Sequence, residues 1–174
     1  IYGGSWLEGS GAVYAENEVL GWLAHEFGMP PSAGGVFVQG GTIGNLSALV
    51  AARDHSRRSL AAAGNDLPGR FAVMCSAEAH SSIKTAAAVM DIDIVKVPVN
   101  EDGRLTAEAV ATALDNTEAF VFAIVATGGT TNFGIVDDLS GIGLIARERG
   151  IWFHVDGAYG LAAALAASTR HLFE

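Results

Sequence analysis

The sequence has one cysteine, Cys75, so no disulfide can close within it. A lone thiol is compatible with a reducing compartment. Cys75 follows the apolar run 71–74, which points to a buried structural thiol. Positive charge is scarce: 10 Lys and Arg stand against 19 Asp and Glu, for a net charge of -9. That balance argues against nucleic acid or an anionic membrane as the main partner, and it favours solubility. No charge-free apolar run reaches the length of a transmembrane helix, and the alanine-rich stretch 160–167 is too short to span. The opening IYGGSWLEGSG has neither a basic region nor a long apolar stretch, so no secretory signal is expected. Also missing are metal-ligand spacings, a Walker A loop, a G-x-G-x-x-G fingerprint and a G-x-S-x-G nucleophile elbow.

Apolar residues make up 50% of the 174 positions and charged residues 17%, enough to bury the core of one ordinary domain. Disorder does not fit that composition. There is no internal repeat and no low-complexity linker; the stretch 57–70 reads as a helix end and surface loop.

Helix and strand signals alternate. A helix is predicted over 14–27, with Val13, Leu20, Leu23 and Phe27 able to share a face and Gly28, Pro30 and Pro31 ending it. GVFVQ at 35–39 reads as a short strand and 40–42 as a turn. A helix follows over 46–63, with Leu46, Leu49, Val50 and Arg53 at helical spacing. Strands are expected at 70–76, 93–99, 119–127 and 151–156. The helices between them fall at 80–90, 106–114 (capped by Thr106) and 138–149. Continuous apolar strands alternating with helices imply an α/β fold, a mostly parallel sheet with helices on both faces. Ligands of such sheets bind beyond the carboxyl ends of the strands.

That rule selects QGGTIGN (39–45), SAEAHSS (76–82), ATGGTTN (126–132) and DGAYG (156–160). The first places glycines and Thr42 at a helix start, which suits a phosphate but equally suits an ordinary tight turn. ATGGTTN offers the hydroxyls of Thr130 and Thr131 to a ligand or to the next helix. His80 could stack on a planar ring, act as acid or base, or cap its helix. His25, His55 and His171 lie in helical or terminal patterns and carry no site reading. His154, two residues before Asp156 on the same strand face, suggests packing or hydrogen bonding.

Asp156 is the sharpest feature. A carboxylate ending a buried strand needs a cation or hydrogen bonds, and small residues follow it. A protonated pyridine nitrogen would satisfy the charge, and small neighbours would let a flat ring approach the backbone. Pyridoxal 5'-phosphate has such a nitrogen, and QGGTIGN and His80 would then serve its phosphate and its ring face.

At this point the chain resembles the group II pyridoxal-phosphate-dependent amino-acid decarboxylases, built on the fold-type I (aminotransferase-like) scaffold. The likeness is carried by GGVFVQGGTIGNLSALVAARD (34–54), AEAHSSIKTAAAVMDI (77–92), VATGGTTNFGIVDD (125–138) and IWFHVDGAYG (151–160). The resemblance implies that residues 1–174 are an incomplete part of the large, cofactor-binding domain. It implies Gly41 and Thr42 for the phosphate, His80 stacked on the pyridine ring, Thr131 near the cofactor, Asp156 on the ring nitrogen and Ala158 on the opposite ring face. His80 and Asp156 are the expected catalytic residues, and Asp137 matches an acid supporting the site. The family's Schiff-base lysine belongs to a D-P-H-K-like motif downstream. Lys84 and Lys96 are the only lysines here and neither lies in such a motif. An N-terminal segment, that lysine and a C-terminal small domain are expected outside this piece, which alone should be inactive. The parent protein is expected to be a cytoplasmic homodimer that decarboxylates an L-amino acid to an amine. The alternatives are another fold-type I enzyme (a lyase, aldolase or desulfurase), a non-catalytic homologue, or a sheet domain that binds a phosphorylated ligand.

Overall fold

The computed structural model describes residues 5–173. Two compact units divide the chain, Ile1–Gln39 and Gly40–Glu174. In the first, helix α1 spans Trp6–Glu26 and starts eight residues before the predicted position. Ser5 makes that earlier start possible: its hydroxyl accepts the Leu7 N–H at 3.1 Å as an N-cap. Gly9 kinks the helix, and Gly28, at φ +64, ends it as expected.

The strand predicted at 35–39 does not form. The Phe37 N–H donates to Glu16 Oε1 at 2.7 Å, so an α1 side chain takes the bond a ladder would need. No other strand lies among the described residues of this unit, and a strand without a partner has nowhere to place its remaining donors.

The second unit holds the sheet. Helix α2 (Gly41–Ala62) leads into β1 (Phe71–Ser76), α3 (Ser81–Met90), β2 (Asp93–Val97), α4 (Ala107–Asn116), β3 (Phe120–Thr127), α5 (Leu139–Glu148) and β4 (Trp152–Asp156). Two short 3-10 turns, Leu161–Leu165 and Arg170–Phe173, follow. The four strands are parallel in the order β2-β1-β3-β4, as the alternation requires. The predicted Thr106 cap holds, accepting from Ala109 N–H at 3.2 Å; Asp138 also proves to be a cap, accepting from Gly141 N–H at 3.0 Å. In the turn after β2, Asn100 Oδ1 gathers the N–H groups of Asp102 and Arg104 at 3.1 and 2.9 Å.

Alternation along the central strands builds two cores. Val73, Cys75, Ala123 and Val125 face α2 and α3, packing with Leu49 and Ile83. Met74, Ile124 and Ala126 face α4 and α5, packing with Val110 and Ile142. Phe122 is the extra residue of a bulge in β3: Ala72 pairs with Val121 but Val73 pairs with Ala123. Central β1 is buried throughout, whereas β2 and β4, at the two edges, are only partly covered. The expectation of continuously buried strands therefore holds for the centre of the sheet and fails at β2 and β4, which pair on only one side among the described residues.

Burial pushes the Cys75 thiol up to about 11, against the opposing pull of Lys96. At neutral pH the thiol stays protonated and inert. Iodoacetamide should leave Cys75 unmodified in the native full-length protein under conditions that label the unfolded chain completely. Mass spectrometry of the Cys75 peptide reads this, and rapid native labelling would contradict the packing of that face. No helix among the described residues is long and apolar enough to cross a membrane. Nor do those residues include a cluster of three metal-ligating side chains.

Candidate functional site

Parallel strands place all their carboxyl ends on one side, and a cavity of about 1000 Å³ opens there. Gly41, Thr42, His80, Thr131, Asp156 and Ala158 all line it, so residues from four separate stretches meet at one place. Asp137 does not.

Helix α2 begins at Gly41 and not at Leu46, so the glycine turn is itself the first turn of the helix. Gly40 adopts φ +95, open to glycine at little cost, and no side chain caps this end. The first N–H groups and the positive end of the helix dipole therefore stand at the cavity wall, with the Thr42 hydroxyl beside them. A Cβ on Gly41 would sit 3.0 Å from that of Ala158, so the helix start lies directly against the loop after β4.

Asp156 is 8% exposed at the end of β4. Its Oδ2 accepts from Asn45 Nδ2 at 2.9 Å, and its Oδ1 accepts from the Ala158 N–H at 3.3 Å. Among the described residues none forms a salt bridge with it. The nearby His154 ring does not supply a cation at neutral pH: burial lowers its pKa, opposed by the Asp156 charge. The carboxylate is thus buried, hydrogen-bonded to neutral donors and open to the cavity.

His80 caps α3. Its Nδ1 accepts the Ser82 N–H at 3.2 Å, while the ring stands exposed at the cavity. The cap and the cavity-facing position coexist, because capping occupies only one ring nitrogen. The two threonines divide their work. Thr130 Oγ1 accepts from the Ile135 N–H at 3.1 Å and shapes the loop, whereas Thr131 is exposed on the cavity wall.

The small residues after Asp156 have two different causes. A Cβ on Gly157 would collide with Leu161, and one on Gly160 would come within 2.5 Å of the Gly128 carbonyl. Their smallness answers the packing of the chain on itself. Ala158 alone of the three lines the cavity.

Asp137, 1% exposed, braces the site from behind. Oδ1 accepts from Leu105 N–H at 2.8 Å and Oδ2 from Thr127 N–H at 2.7 Å. It ties the end of β3 to the chain entering α4, a structural support without contact to the cavity.

Asn45 was not among the residues the sequence singled out. Buried at 5%, it bonds Asp156, Ser82 and His154. The last contact confirms a hydrogen-bonding role for His154. A signal existed: Asn45, Leu49 and Ala52 are the buried positions of α2, at i, i+4 and i+7. An amide in a buried stripe needs partners.

A parallel α/β sheet with a cofactor-sized cavity at its carboxyl ends, walled by an uncapped glycine helix start and a buried carboxylate, is the architecture of a nucleotide- or coenzyme-binding enzyme domain. Residues 6–174 match the family model of the pyridoxal-dependent decarboxylase conserved domain, and the chain belongs to that family. It is 32% identical to an aromatic-L-amino-acid decarboxylase of Bacillus atrophaeus, over 95% of this chain and 34% of that protein. It is 33% identical to an L-2,4-diaminobutyrate decarboxylase of Rhizobium meliloti, over 90% of this chain and 31% of that protein. The crystal structure of Oryza sativa TDC with PLP and tryptamine superposes with a TM-score of 0.82 at 28% identity, covering 98% of this chain and 38% of that one. The chain thus spans about a third of the length of the curated relatives it matches.

Proposed function

We propose that this chain forms the cofactor-binding part of a longer enzyme that uses pyridoxal 5'-phosphate to decarboxylate an L-amino acid to its amine and carbon dioxide. The observation that carries the reading is Asp156: a buried carboxylate facing a cavity, with only neutral donors among the described residues. A protonated pyridine nitrogen would bring such a group the opposite charge that its neutral donors do not supply.

The other residues fit the same group. Gly41 and Thr42, at an uncapped helix start, would hold its phosphate. The exposed His80 imidazole would lie on one face of the ring, and Ala158 leaves room at the other. Thr131 brings a hydroxyl to the cavity wall. Bound there, the cofactor supplies an electron sink for the pair released when carbon dioxide leaves. Asp156 keeps the ring nitrogen protonated through a fixed charge, in a pocket where little reorganisation is needed.

The reading includes a lysine from outside these 174 residues, because Lys84 on α3 and Lys96 on β2 do not line the cavity. It also includes a C-terminal small domain, a homodimeric assembly and a cytoplasmic location. Family likeness supports the first two, and the single buried thiol is consistent with the third.

The test is product analysis on the full-length protein with added pyridoxal phosphate and a panel of L-amino acids. Carbon dioxide and the matching amine in equal amounts are expected from at least one substrate. Cleavage into other fragments would assign a lyase or aldolase instead, and no turnover with bound cofactor would identify a non-catalytic homologue.

A further inference from the structure

A hydrogen-bond chain joins the two residues expected to carry the chemistry, and its polarity is determined at one end. A carboxylate only accepts. Asp156 Oδ2 therefore turns the Asn45 amide so that Nδ2 faces it at 2.9 Å, which leaves Oδ1 toward His154 Nε2 at 2.8 Å. His154 must then donate from Nε2. The second N–H of Asn45 goes to Ser82 Oγ at 2.9 Å. Ser82, having accepted, has one proton to give, and His80 Nδ1 lies 2.8 Å away. The Ser82 backbone N–H reaches the same nitrogen at 3.2 Å. Two donors directed at Nδ1 leave it a lone pair and put the ring proton on Nε2.

The chain is shielded and complete. Asn45 is 5% and Ser82 3% exposed, and no buried side-chain nitrogen or oxygen among the described residues lacks a partner. A fully satisfied buried network of this kind holds one arrangement.

We propose that Asn45 and Ser82 are positioning residues that couple Asp156 to His80 and hold the His80 imidazole as its Nε2–H tautomer. His80 then meets the cavity with a donor at Nε2 and cannot accept a proton there, which makes it a hydrogen-bond partner for an anionic group and not a base. This deepens the pyridoxal phosphate reading by giving a state to one of its residues.

The tautomer is read by ¹⁵N NMR of histidine-labelled full-length protein, freed of cofactor, at about pH 8, above the ordinary histidine range. The His80→Gln variant assigns the signals. The expected result is a protonated Nε2 and a lone pair on Nδ1 of His80. Asp156→Asn, similar in shape but able to donate, should shift the ring signals of both His154 and His80. In a Ser82→Ala background the His80 shift should disappear while that of His154 persists, and Ser82→Thr should restore it. A proton on Nδ1 of wild-type His80 overturns the proposal. So does an Asp156→Asn variant that moves His154 and leaves His80 unchanged. Titrating the same wild-type sample with pyridoxal phosphate tests the cofactor reading separately, since the tautomer is measured without it.

Discussion

Replacing Asp156 with alanine in the full-length protein should lower kcat by roughly 10²–10³-fold or more, the scale of losing one preorganised electrostatic stabiliser. Asp156→Asn should lose most of the same activity. An amide keeps the shape, but it has no charge to hold a proton on a pyridine nitrogen. Stability should follow a different course. Asp156 is buried without a cationic partner among the described residues, an arrangement that costs folding energy. Asp156→Asn removes the buried charge and keeps an acceptor for the Ala158 N–H, so the cofactor-free variant should melt no lower than wild type. Steady-state kinetics and thermal melts on the same preparations check both halves. Near-normal decarboxylation by Asp156→Ala would remove the assigned role, and a large loss of stability in Asp156→Asn would make the residue structural.

Asp137→Ala should do the reverse, acting first on stability. Each Asp137 oxygen satisfies a buried backbone N–H, that of Leu105 or of Thr127, and alanine leaves both without a partner. An orphaned buried donor costs about 1–3 kcal/mol, so losing both partners should destabilise the variant by about 2–6 kcal/mol. Burial raises the Asp137 carboxyl above its ordinary 3.8, against the pull of those two N–H groups. A carboxyl so raised binds its proton more tightly in the folded chain. The stability linked to it is complete below 3.8 and is lost as pH rises through the folded-state value. Alanine has no such group, so the gap between wild type and variant should narrow as pH rises from 3.8 through the folded-state value. Denaturation at several pH values measures the gap, and hydrogen exchange at the Thr127 amide locates it. Slow exchange there in the variant would mean that another group has taken over the bond.

Much of the site was legible before the structure because its logic is topological. Strands made of runs such as FAVMCS and FVFAIVAT bury on both faces, and helices between them force a parallel pairing. Once the sheet is parallel, whatever follows each strand faces the same space. Gly41, Thr42, His80, Thr131, Asp156 and Ala158 could be grouped on that ground and on family likeness, and they line one cavity. Asp137 was read as matching an acid that supports the site; it bonds the backbone of Thr127, which lines the cavity, a contact that no motif displays.

The misses share a cause as well. GVFVQ has the composition of a strand, but composition describes a chain's preference and not the presence of a partner. The five-residue error at the start of α2 arose because Gly41, Ile43 and Gly44 are weak helix formers that the packed helix nevertheless retains. Gly157 and Gly160 looked like room for a ligand, yet Leu161 and the Gly128 carbonyl already occupy the space a side chain would need.

Local order and strand direction were therefore determined by the sequence alone, since apolar periodicity and turn chemistry act between near neighbours. The side of the sheet on which a site must lie followed from them. Tertiary structure decided which polar groups meet. Asn45 reaches Ser82 across 37 positions and Asp156 across 111. Hydrogen bonds at such separations depend on how α2 packs against the sheet, and burial then leaves each group only the partners that packing brings within reach.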